Sequence, residues 1–427
     1  MNPPPVYQYA GLTNARHHGM SVDESGERLH RLAYAESRLM FLQAAHIIST
    51  PHRDVKALLS RGQYEDGQHA DRLKQRLVEM RMSRKRAFEE PSPPLRFVFD
   101  EALHSHGPVE LVTALTRVLK PAIIDSYHRY LCASNELADY GSLRALREVI
   151  AEEEEGMRLL EAAYADLVVS PEQKTAADTW TRHLEGLVVA AGGMDGAVGE
   201  LDERRLVATR SAQPYTIPRK QAWDDTFVRV WDVEHVDEEQ VGARMAQMIC
   251  TRLGELTIAE ALSFVLCETV GQPWSFYVDI SRHMWDEMRH SLFGEAAAED
   301  ICGDRAGLPL REWETEYLYA MEPLELYAML CDVEASLMKF PPGKRFEYEF
   351  CRDRARHPLM TMLQDFDWAD EVLHVNIARR QLKEWFAGSQ DELLALAHKG
   401  NESRDAARAK HPPAPLPDIS HAMGNKG

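Results

Sequence analysis

The chain is poor in several features that would narrow its chemistry. Its six cysteines stand far apart, at 132, 250, 267, 302, 331 and 351, and none forms a Cys-x-x-Cys pair. That spacing excludes a thiolate zinc or dithiol redox motif and predicts free thiols in a reducing compartment. Basic charge is also short: 49 Lys and Arg stand against 68 Asp and Glu, a formal net charge of −19. A surface for nucleic acid or anionic lipid needs the opposite balance, so neither partner is expected. No apolar run reaches the roughly 18 residues of a membrane span. The start, MNPPPVYQYAG, lacks the basic-then-apolar order of a secretory leader, which makes the cytoplasm the expected location. Strand-like alternation is nearly missing, and no glycine-rich phosphate loop follows a strand.

What the 427 residues do contain is helical periodicity. The pattern predicts helices over 24–48, 53–83, 108–140 and 142–169. A further helix is predicted over 172–190, followed by a loop at AAGGMDG and an irregular YTIPRKQ. The pattern resumes with 237–270, 275–301, a helix from Pro323 interrupted at Pro341-Pro342-Gly343, and a last helix over 359–398. The domains read as an irregular start (1–24), a helical bundle (25–170), a connector (171–236), a second bundle (237–398) and a Pro-rich tail (399–427). An internal repeat joins the halves. Asp66-x-x-His69 lies on Glu287-x-x-His290, Glu36 on Glu260, PVELVTAL on PLELYAML, and AEEEEGM on ADEVLHV. The predicted fold is all-α, two tandem four-helix bundles forming a pseudo-dimer.

The second half carries the chemistry. Asp-Glu-x-x-His occurs twice, at Asp286-Glu287-Met288-Arg289-His290 and Asp370-Glu371-Val372-Leu373-His374. Residues three apart share a helix face, so Glu287 with His290, and Glu371 with His374, can each grip a metal ion. A glutamate from each remaining helix would complete a two-metal site. Glu260 and Glu334 are the candidates, with Glu255 and Glu347 as alternatives. A lone Glu-x-x-His is commonly surface decoration; two copies at matching helix positions argue for a site.

The block Asp286-Glu287-Met288-Arg289-His290 resembles the Asp-Glu-x-Arg-His motif of the ferritin-like diiron-carboxylate superfamily. That superfamily includes ribonucleotide reductase small subunits, multicomponent monooxygenases, desaturases, rubrerythrins and ferritins. The resemblance covers both halves in helix order and is closest over 237–398. It implies ferritin-like bundles and metal ligands Glu260, Glu287, His290, Glu334, Glu371 and His374. Asp286 and Asp370 would each hold the ring N–H of the opposite site's histidine. It further implies two irons, Fe/Fe with Mn/Fe as a variant, and O2 as co-substrate. The activity would be an oxygenase or oxidase acting on a small organic substrate by hydroxylation, desaturation or N-oxygenation. Electrons would come from a ferredoxin or reductase, and the protein would be a monomer or homodimer. A ferroxidase and a non-catalytic helical scaffold are the alternative readings. In the first half Glu36, Asp66, His69 and Glu153 take ligand positions, but Leu119 stands for the third-helix glutamate and Gly156 for the last histidine. That half reads as a degenerate copy.

Overall fold

The computed structural model describes residues 4–341 and 343–423. Pro342, within the Pro341-Pro342-Gly343 break, lies outside them, as do the two chain ends. Helices make up most of the described chain, in the order α1 (Val6–Tyr9), α2 (Val22–His46), α3 (Arg53–Glu79), α4 (Arg84–Ala87), α5 (Pro93–Leu103) and α6 (Gly107–Thr113). A π-helical turn, Ala114–Leu119, leads into α7 (Lys120–Ala133), α8 (Tyr140–Leu167) and α9 (Pro171–Ala190). Next come α10 (Val241–Gly254), α11 (Leu256–Glu268), α12 (Trp274–Cys302), α13 (Trp313–Leu318), α14 (Pro323–Leu337) and α15 (Lys344–Glu349). After a second π-helical turn, Phe350–Ala355, the chain ends in α16 (Pro358–Trp385), α17 (Gln390–Arg408) and α18 (Ser420–Met423). The strands among the described residues are the parallel pair β1 (Arg229–Val230) and β2 (Leu310–Arg311). Among the described residues no helix is long and apolar enough to cross a membrane.

Helix boundaries follow local chemistry. Ser170 and Ser389 close capping boxes with Gln173 and Glu392, and Gly303 takes the left-handed conformation (φ 75°) that ends α12. Ser92 caps α5, whose first two residues are Pro93 and Pro94. This helix lies in a stretch the periodicity left between a linker and the next helix. Three predicted helices are broken. The 108–140 helix carries the π turn. The 359–398 helix stops at Trp385 and restarts at Gln390, so that α17 runs on through the first part of the expected tail. The 237–270 helix breaks at Glu255, whose ψ of −13° departs from the helical value.

The chain divides into two compact units, Met1–His46 with Arg61–Thr216, and Ile47–Ser60 with Ile217–Gly427. In the first, α2 buries Leu29, Leu32 and Leu39, and Leu73, Leu115, Ile123 and Leu146 add to the core. Buried Glu101 anchors the loop before Thr216: it accepts hydrogen bonds from the Ser211 amide (3.0 Å), the Ser211 hydroxyl (2.7 Å) and the Thr209 amide (2.9 Å). In the second, Met245, Ile249 and Leu253 of α10 pack with Ala297 and Ala298 of α12, Leu310 and Met360. A methyl group on Gly294 would lie 2.6 Å from the Leu253 amide nitrogen, so α10 and α12 approach with no room between them. The Ser291 hydroxyl donates to the Leu253 carbonyl (3.2 Å) at the same crossing. This contact holds the end of α10, and with it Glu255, against the face of α12 that carries Glu287 and His290.

Candidate metal centre

Two buried clusters form in the second unit: His283, Glu287, Glu334 and His374, and Glu255, His290, Asp367 and Glu371. In each, the four donor atoms lie within 4.8 Å of one another. The helices supply them by spacing. On α12, His283, Glu287 and His290 share one face; on α16, Asp367, Glu371 and His374 do the same. α14 contributes Glu334, and the α10–α11 break contributes Glu255.

The first cluster is tight and contains no lysine or arginine. His283 Nε2 lies 3.0 Å from Glu334 and 3.4 Å from Glu287, and His374 Nδ1 lies 3.3 Å from Glu287. None of these contacts has hydrogen-bond geometry. Both ring nitrogens of His283, Nδ1 of His374 and Oε2 of Glu334 are buried without a hydrogen-bond partner. Unmet buried polar atoms cost roughly 1–3 kcal/mol each, so this set is costly unless a cation joins it. The electrostatics agree. Burial lowers the His283 pKa, but the Glu334 and Glu287 carboxylates overcome it and raise the ring to about 10. Burial opposes the ionisation of Glu287, yet His283, His290 and His374 hold it well below the usual carboxylate range. The second oxygen of Glu287 is 3.8 Å from His290 Nδ1, so this carboxylate reaches both clusters.

The second cluster is already furnished with cations. Lys344 Nζ lies 2.8 Å from Glu371, 2.9 Å from Asp367 and 3.9 Å from Glu255. Arg252 pairs with Asp367 and, at 2.9 Å, with Glu255. Burial still pushes the Glu255 carboxyl up to about 8 against both cations. His290 Nδ1 faces Asp367 at 3.5 Å and has no hydrogen bond.

Outside the clusters the two aspartates cross over. Asp286 Oδ2 is 3.4 Å from His374 Nε2, and Asp370 Oδ2 is 3.3 Å from His290 Nε2. Arg289 donates to both aspartates, at 2.6 and 3.1 Å. The outer nitrogen of each ring is thereby fixed, leaving Nδ1 to face the cluster. Tyr327, whose buried hydroxyl has no partner, stands with its ring 6.0 Å from that of His283.

Glu287, His290, Glu334, Glu371 and His374 are thus brought together, with Asp286 and Asp370 beside them. Glu260 is not. It is fully buried and accepts from Lys56 Nζ and the Tyr319 hydroxyl, so its charge is neutralised away from the clusters. Glu255 stands in its place, and the repeat register that preferred Glu260 was shifted: it is Glu36 and Glu255 that face the equivalent histidines, His69 (3.7 Å) and His290 (3.9 Å). Glu347 also lies outside, 3.6 Å from Arg252. Sequence reasoning passed over His283 and Asp367. Their signal was present: each stands four residues before the glutamate of a Glu-x-x-His, on the same helix face. Lys344 gave no signal, because tertiary packing alone carries it to the site, whereas Arg252 pairs locally with Glu255 three residues on and reaches Asp367 only through the fold.

The first unit holds one related cluster, Glu36, Asp66, His69 and Glu153. Here Lys120 Nζ binds Asp66 and, at 3.0 Å, Glu153. The Tyr127 hydroxyl donates to Glu36, and Gln43 donates to Asp66. Leu119 is buried at the position where a fourth acid was missing, and open space surrounds Gly156.

No protein-family model, curated protein or solved structure matches the chain.

Proposed function

We propose that this chain is an O2-dependent non-haem iron oxidoreductase of the ferritin-like diiron-carboxylate type, acting on a small organic substrate. In this reading the chain carries a tandem pair of four-helix bundles, the second bearing the metal centre and the first a degenerate copy. The observation that carries the proposal is the set of buried, unpartnered donor atoms of His283, Glu334 and His374 around Glu287. A mixed oxygen and imidazole donor set suits iron or manganese. Glu287, whose two oxygens lie near His290 and His374, would be the carboxylate within reach of ions held at either cluster. Bound iron would supply the one-electron chemistry needed to use O2, with a ferredoxin, a reductase or the substrate as electron source.

The chain's own residues prepare that chemistry. Asp286 and Asp370 orient His374 and His290, and Arg289 ties the aspartates together. Burial of every cluster residue excludes bulk water and strengthens the local field. Tyr327 offers a hydroxyl with no competing bond beside His283.

The test is anaerobic loading with Fe(II), desalting and elemental analysis, followed by O2-uptake assays over a panel of small substrates. The wild type should retain at least one iron per chain, and His374→Ala should lose it; O2 uptake should need both iron and a substrate. Absence of retained iron or manganese, or retention unchanged in His374→Ala, would refute the reading.

A further inference from the structure

The two clusters differ in one respect that geometry alone decides: where the positive charge comes from. Among the described residues, the four donors of the His283 cluster meet no side-chain ammonium or guanidinium. In the neighbouring cluster, Lys344 reaches three carboxylates, Asp367, Glu371 and Glu255, and Arg252 reaches two of the same three. Lys344 is 1% exposed. An ammonium group sits where a metal ion would need the same oxygens.

We propose that the centre loads unequally: His283, Glu287, Glu334 and His374 form the tight ion site, and Lys344 acts as a built-in cation that competes with a second ion for Asp367, Glu371 and Glu255. This rests on the metal reading above and deepens it. The physical ground is charge balance. A carboxylate group buried away from water must be compensated. At the His283 cluster only an added cation, a proton or a metal ion, can do so, whereas at the Lys344 cluster the protein has already done so. A second ion must therefore displace an existing ion pair, and its net gain in binding is smaller.

The first unit shows the end point of the same arrangement. Lys120 binds Asp66 and Glu153 in the one cluster found there, and no second cluster accompanies it among the described residues. A lysine thus supplies the positive charge at a cluster of three carboxylates and one histidine, the same donor set that Lys344 meets in the second unit.

The experiment is an anaerobic titration of the full chain with Fe(II), and with Mn(II) as the air-stable probe, read by calorimetry and by elemental analysis after desalting. The wild type should show two unequal sites, with the second at least about ten-fold weaker, a difference of about 1.4 kcal/mol, and should keep about one ion through desalting. Lys344→Met and Lys344→Gln should each strengthen the second site and raise retention to about two ions. Lys344→Arg, which keeps the charge, should behave as the wild type. His374→Ala should abolish the tight site, whereas Glu371→Gln should leave it. Two wild-type sites of equal affinity would overturn this proposal and leave the metal reading intact. So would Lys344 variants that fold, by circular dichroism, without changed stoichiometry. No ion bound by the wild type would overturn both. If neither neutral Lys344 variant folds, the wild-type titration and the His374→Ala and Glu371→Gln pair still decide.

Discussion

Glu255 and Glu260 are both buried glutamates at one end of α11, and they do different work. Glu255 faces His290 and shares Lys344 and Arg252 with Asp367. Glu260 is paired with the Lys56 ammonium and accepts a hydrogen bond from the Tyr319 hydroxyl. The two roles separate experimentally. Glu260→Gln should leave Lys56 buried without its carboxylate and cost about 3–5 kcal/mol of stability, read as a lowered midpoint in chemical denaturation. Metal retention should stay at the wild-type level. Loss of metal in Glu260→Gln, with stability unchanged, would restore Glu260 as a ligand. His283 makes the complementary point. A histidine on a helix face is ordinarily a satisfied core residue; here both ring nitrogens are unmet and the ring lies among Glu287, Glu334 and His374.

Elements matter through their interruptions. The α10–α11 break lets Glu255 leave the helical path at the level of His290, and the crossing of α10 on α12 depends on Gly294. Gly294→Ala would press a methyl group onto the Leu253 backbone at 2.6 Å. Backbone cannot yield as a side chain end can, so a loss of about 1–3 kcal/mol is expected. Gly156 in α8 is the control, since nothing lies within 4 Å of its added methyl. Gly156→Ala should gain about 0.5–1 kcal/mol from helix propensity alone. Thermal denaturation of both variants checks the pair; equal shifts would mean that the close crossing is not a constraint. The periodicity across Val241–Glu268 is continuous in sequence, because apolar residues recur at helical spacing on both sides of Glu255. Just before the break α12 presents Gly294 and the Ser291 hydroxyl to Leu253, and those contacts are not encoded near Glu255.

At the scale of the whole molecule, stability should depend on buried groups that fold in one protonation state. His46 is an example in the first unit. Burial depresses its ring to about 4, despite its bond to the Leu103 carbonyl at 2.9 Å. The unfolded ring titrates near 6.5. Between those values the unfolded chain binds the proton and the folded chain does not, so stability falls as pH drops from about 6.5 to about 4. The full difference is on the order of 3 kcal/mol. His46→Gln should flatten this part of the acid limb, measured as denaturation midpoints at pH 7 and pH 4.5. An unchanged difference between the two pH values would show that His46 is not the group responsible.

By itself, the sequence determined that the chain is helical, where most helices begin, and which glutamates and histidines share faces on α12 and α16. These properties are local: capping residues, proline positions and a spacing of three or four residues act within one turn. Only the tertiary structure set Glu255 rather than Glu260 beside His290, because both fit the hairpin spacing and spacing alone does not fix which of them faces α12. Only it, too, brought Lys344 and Arg252 among the acids. The approach of Lys344 depends on long-range packing of α15 against α16, and a cation that arrives from another element leaves no periodic trace beside the motif it neutralises.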